Sequence, residues 1–161
     1  MEDKRDILAV QTLRNWVMAS SFLASVAILI GLGVLNAAFR TDKMSEISIA
    51  LNFFGTKNET IWMIKLMALS ADFFFAFFNF ALSIRYYNHA SFAINVPPDQ
   101  DPIVTYDAVA KIINHGTTHY TLGMRCYYLA VPFTLWLFGP SWMLAGAIIL
   151  ILMLYKLDRT V

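Results

Sequence analysis

Residues Ile61–Tyr87 read IWMIKLMALSADFFFAFFNFALSIRYY, and the placing of this stretch decides the fold. It is longer than the ~20 residues an α-helix needs to cross the ~30 Å hydrocarbon core of a bilayer. Lys65, Asp72, Asn79 and Tyr86 recur every seven residues, with Ser83 between the last two. At about 3.6 residues per turn that spacing keeps them on one slowly drifting helix face. The rest of the surface is Leu, Met, Ala, Ile and Phe. Hydrocarbon satisfies neither hydrogen bonds nor charge, so a polar stripe of this kind must face protein or trapped water. The stretch predicts a polytopic membrane protein.

The remainder of the 161 residues agrees. An apolar fraction of 58% lies above the ~45–50% of soluble domains, and a net charge of +1 gives no basic surface for nucleic acid. The single cysteine, Cys126, excludes an internal disulfide framework and reads as a small buried hydrophobe.

Upstream, Met1–Asp6 is a charged start in which Asp3 or Asp6 could cap a helix. Trp16–Phe39 then runs 24 residues without charge, enough for a first span. A cleaved secretory signal is the competing reading, but this run exceeds the ~7–15 residues of a signal core and Asn36-Ala-Ala38 is a poor cleavage site. A retained anchor is expected. Gln11, Arg14, Ser21 and Ser25 share a face, and the pairs Ser21/Ser25 and Ala27/Gly31 would let another helix approach closely. Between the first two spans, Ile47–Phe54 reads as a short interfacial helix. Asn58-Glu-Thr60 matches a glycosylation sequon to which no weight is given.

Downstream, Pro97-Pro98-Asp-Gln-Asp101-Pro102 breaks the chain, and Thr105–Asn114 reads as a short amphipathic helix in the second loop. Two more spans follow, about 119–138 and 141–156, divided by Gly139-Pro140-Ser141; Pro132 should kink the first of them. The expected fold is all-α, a four-helix transmembrane bundle forming one polytopic domain, with spans at about 16–39, 61–87, 119–138 and 141–156 and a short cytoplasmic amphipathic helix. Four spans put Lys4, Arg5, Arg14, Arg85, Lys111, Arg125, Lys156 and Arg159 on one side, against Arg40, Lys43, Lys57 and Lys65 on the other. Both termini are therefore expected in the cytoplasm, in a prokaryotic cytoplasmic membrane.

Three groups of residues could carry chemistry. Lys65, Asp72, Asn79 and Ser83, with Gln11 from the first helix, form either a polar path or interhelical glue. Asp72 is central, because an unpaired carboxylate at mid-bilayer costs about 3 kcal/mol or more. Arg14, Arg85 and Arg125 at the inner helix ends would either anchor the interface or hold an anionic lipid head group or solute. His115 and His119, four apart, and His89 are weak metal or haem candidates, with interfacial hydrogen bonding as the alternative. No Gly-rich phosphate loop, nucleophile elbow or triad-like set occurs, so a non-enzyme without cofactor is expected.

Several motifs together resemble domain-of-unknown-function family 599. They are Val10-Gln-Thr-Leu-Arg-Asn15 with Met18-Ala and Leu23-Ala-Ser25; Ile64-Lys65 with Ala76-Phe-Phe; Ser83-Ile-Arg85-Tyr-Tyr-Asn-His89; and His119-Tyr-Thr-Leu-Gly-Met-Arg125-Cys-Tyr-Tyr with Pro132 and Trp136-Leu-Phe-Gly-Pro140. The likeness runs in order over nearly the whole chain and implies an integral membrane protein of about four spans. It brings no activity and no site residues, and Asp72 is not part of the pattern. The functional expectation is an oligomeric channel or transporter unit for ions or small solutes, a homo-oligomer because four short spans offer few internal partners for the polar stripes on the first two. The alternatives are a non-catalytic scaffold or accessory subunit of a larger complex, and a haem- or metal-binding redox subunit.

Overall fold

The structure, a computed structural model, describes residues 2–40, 58–95 and 105–159. These residues form four helices and no strand: α1 Glu2–Phe39, α2 Glu59–Ile94, α3 Tyr106–Trp136 and α4 Pro140–Asp158. The protein is all-α. The expected helix Ile47–Phe54 and the Pro97–Pro102 breaker lie outside the described residues.

The helix ends have local causes. Asn58 caps α2: its Oδ1 accepts the amide of Thr60 at 2.9 Å and its carbonyl accepts that of Trp62 at 3.1 Å. At the end of α3 the amides of Leu137, Phe138 and Gly139 turn back onto carbonyls three residues earlier, those of Thr134, Leu135 and Trp136. Gly139 then takes φ 144°, which a residue with a side chain rarely adopts, and Pro140 opens α4.

One expectation is corrected. The short helix at Thr105–Asn114 and the third span are a single element, since α3 runs unbroken from Tyr106 to Trp136. Gly116-Thr-Thr does not interrupt it. The Thr117 and Thr118 hydroxyls donate to the carbonyls of Ile113 and Asn114 at 3.0 and 2.9 Å, which holds the turn. Gly116 is buried where a Cβ would meet the Tyr87 ring at 2.8 Å. The glycine is there for close packing and leaves the helix intact.

At 38 and 36 residues, α1 and α2 are roughly 57 and 54 Å long at 1.5 Å per residue. Ile7–Phe39 and Glu59–Ile94 are both long and apolar enough to cross a membrane, and Pro140–Lys156 is a shorter apolar helix. Only 22% and 39% of the most apolar windows of α1 and α2 are buried. Core helices of a soluble protein would be mostly covered. In α3, Lys111, His115, His119, Arg125 and several threonines dilute the apolar run.

The chain divides into two compact units, Met1–Ala27 with Ala76–Met124, and Ile28–Phe75 with Arg125–Val161. The first is packed by rings. Leu13, Tyr87 and Ala90 form a core with Val17, Ile94, Ile112 and Ile113. Trp16 meets Tyr87 at 5.9 Å and Tyr120 at 5.2 Å, and Phe80 meets Tyr120 at 5.7 Å. In the second, Ala38, Trp62 and Leu66 pack with Val34, Met63 and Leu137. The Gly31 carbonyl accepts the Ser70 hydroxyl at 2.8 Å, and Gly146 sits against Leu135 and the Pro132 backbone. Much of α4 is uncovered: Leu144, Ile149, Ile151, Leu152, Met153 and Tyr155 are all exposed.

Candidate functional site

Within the second unit, the first half of α2 presents Lys65 and Asp72. Lys65 is 4% exposed. Its Nζ donates to the carbonyl of Trp136 at 3.0 Å and lies 5.5 Å from the centre of that residue's ring. The contact places a cation against the C-terminal carbonyls of α3, where the helix dipole favours positive charge. Asp72 is half-buried. The thiol of Cys126 donates to its carboxyl group, and its Oδ2 is buried without a partner among the described residues. Cys126, read from sequence as a small hydrophobe, is buried and also supplies a weak polar contact to the one carboxylate of the apolar stretch. Phe73 meets Tyr127 edge-on at 5.9 Å.

Within the first unit, Asn79 is buried and its Oδ1 lies 3.1 Å from His119 Nδ1. An amide oxygen only accepts, so with Asn79 oriented that way the proton of His119 sits on Nδ1. Tyr86 stacks on both histidines: on His119 at 5.5 Å with the rings 6° apart, and on His115 at 5.6 Å with the rings 27° apart. Ser83 and Ser20 are fully buried, their hydroxyls without a partner among the described residues. A cavity of about 340 Å³ is lined by Leu13, Trp16, Tyr87, Ile94 and Ile113, with Thr12 and Thr117. Both threonine hydroxyls are already bonded to carbonyls of their own helix, so the cavity suits an apolar occupant.

The other candidates lie on the surface. Gln11, Arg14, Arg85, Arg125, His89 and His115 are exposed, and none of the three arginines forms an ion pair among the described residues. No group of three His, Cys, Asp or Glu side chains is arranged to hold a metal among the described residues.

Residues 1–161, the whole length, match a family described as "Protein of unknown function, DUF599". The chain belongs to this family. No curated protein and no solved structure matches it. The motifs that carried the resemblance to family 599 now have positions. His119 bonds to Asn79, Lys65 meets the carbonyl of Trp136, and Pro140 opens α4. Three contacts were not foreseen from sequence: Lys65 with Trp136, Cys126 with Asp72, and Tyr86 with His115 and His119. The last had a usable signal, since two histidines four apart on one helix offer an aromatic residue a continuous face. The other two depend on which turn of α3 lies beside which turn of α2, and no local pattern encodes that.

Proposed function

We propose that the chain is an integral membrane protein of four spans, with both termini cytoplasmic, acting as a homo-oligomeric channel or transporter unit for ions or small solutes. Asp72 carries this reading: a carboxylate within a 36-residue apolar helix, with one buried oxygen left without a partner. Such a group is costly in lipid and persists where it takes up a proton, a cation or a polar solute. Lys65 and Asn79 are occupied by partners, so Asp72 rather than the whole stripe is the reacting group. Membrane insertion is supported by the exposed apolar flanks of α1 and α4, among them Phe22 at 70% and Met153 at 67% exposure. The Lys and Arg balance supports the orientation. The test is solute and proton flux in proteoliposomes. Asp72→Asn should reduce flux to that of empty liposomes while leaving the folded, helical protein intact, and wild-type flux in that variant would remove the assignment.

A second reading, a non-catalytic scaffold or accessory subunit, is favoured by the same bonds that occupy the stripe. Lys65 to the Trp136 carbonyl and Ser70 to the Gly31 carbonyl tie helices together. It expects a stable hetero-complex on gentle solubilisation, and recovery of homo-oligomers alone would count against it.

A further inference from the structure

Trp62 and Lys65 lie three residues apart on α2, a spacing that makes them neighbours on one helix face. Both are more than nine-tenths buried, at 6% and 4% exposure. Both abut the end of α3: Trp62 clusters with Leu137, and Lys65 bonds to the carbonyl of the residue before it, Trp136. The indole Nε1–H of Trp62 is buried without an acceptor among the described residues. The Lys65 ammonium has three donors and spends one on that carbonyl. No carboxylate lies within ion-pair distance of it among the described residues. Glu59, in the first turn of α2, is exposed, and Asp72 is two turns further along the helix and bonded to Cys126.

The local charge does not cancel. The C-terminal ends of α1 and α3, at Phe39 and Trp136, each offer about half a negative charge, and the N-terminal ends of α2 and α4, at Glu59 and Pro140 in the same unit, each offer about half a positive one, so the helix ends cancel among themselves. Among the described residues a full ammonium charge is thus left over, beside a donor that lacks an acceptor. Burying either is unfavourable unless a partner arrives.

We propose that Lys65 and Trp62 form a binding site for a singly charged oxyanion, a phosphate either free or in a phospholipid head group. One positive charge and two kinds of N–H donor match an anion with one negative charge and two accepting oxygens. The Trp136 ring beside Lys65 and the exposed Trp142 in the first turn of α4 are the residue type that lines the head-group level of a bilayer. The site stands independently of solute passage at Asp72.

The test uses the full chain. Inorganic phosphate is titrated in an uncharged detergent at constant ionic strength. Phosphatidylglycerol is titrated in phosphatidylcholine nanodiscs, with retained lipid read by native mass spectrometry. Trp62→Phe keeps the ring and removes the donor, and should weaken binding about tenfold, the loss of one hydrogen bond to a charged group. Lys65→Gln should abolish binding, Lys65→Arg should retain it, and Lys111→Gln, which changes an exposed cation on α3, should leave it unchanged. Binding of phosphate alone identifies a free oxyanion and binding of phosphatidylglycerol alone a head group; either supports the site. Because Trp62→Phe deletes an unpartnered group, it should also leave anion-free thermal stability unchanged or raised, which keeps the test valid if Lys65→Gln misfolds. Wild-type affinity in both Trp62→Phe and Lys65→Gln, equal loss in Lys111→Gln, or no binding of either probe by the wild type would overturn it.

Discussion

The two units hold their helices by different means. In residues 1–27 with 76–124 the contacts are between ring faces and edges: Trp16, Phe80, Tyr86, Tyr87 and Tyr120, with His115 and His119. In residues 28–75 with 125–161, side-chain donors reach the backbone of another helix, Lys65 to Trp136 and Ser70 to Gly31. Rings are rigid and fill volume, so the first arrangement should be sensitive to added atoms. A donor on a flexible stem accommodates added volume and fails when the donor is removed.

The largest effect that would sharpen this contrast comes from glycine. In the ring-packed unit, a Cβ at Gly116 would stand 2.8 Å from Tyr87 and one at Gly123 would stand 2.8 Å from Phe80. Gly116→Ala and Gly123→Ala should each destabilise by about 2–3 kcal/mol, as overpacking does, even though alanine favours a helix. Thermal unfolding followed by circular dichroism in detergent reads the change. In the other unit, Gly146→Ala meets only the far end of the Leu135 side chain, and should cost less than about 1 kcal/mol. Equal losses at Gly116 and Gly146 would break the comparison.

Next in size is Asn79→Ala, which strands the His119 N–H half-buried and should cost about 1–2 kcal/mol. A double-mutant cycle with His119→Phe isolates the pair, and an interaction energy near zero would mean that stacking on Tyr86 alone positions His119. Ser70→Ala removes the hydroxyl donated to the Gly31 carbonyl and should cost about 0.6 kcal/mol, the average for interhelical bonds within membranes. Smallest is Gly33→Ala: nothing stands within 4 Å of the added methyl, so helix propensity should leave stability unchanged or raise it by up to about 1 kcal/mol. A clear loss there would reveal a surface that another chain covers.

Sequence reading located the helices wherever apolar composition and punctuation spoke together. Gly139-Pro140 marks the start of α4 because a positive φ and a missing amide are local requirements. It failed between Asn114 and His119, read as a gap between a short helix and the third span, where α3 runs on and Gly116 gives the Tyr87 ring its space. Placement of the candidate residues shows the same limit. Seven-residue spacing puts Lys65, Asp72 and Asn79 on one face of α2, but their partners, the Trp136 carbonyl, Cys126 and His119, all come from α3.

What the chain determines by itself is the all-α class and the polar marks on α2, since helical period and apolar composition act within a few turns. Which of those marks are already bonded, and which are left wanting a partner, was decided by the packing of α2 against other helices. Hydrogen bonds and buried charge depend on atoms about 3 Å apart that can be tens of residues distant in sequence, as Lys65 is from Trp136.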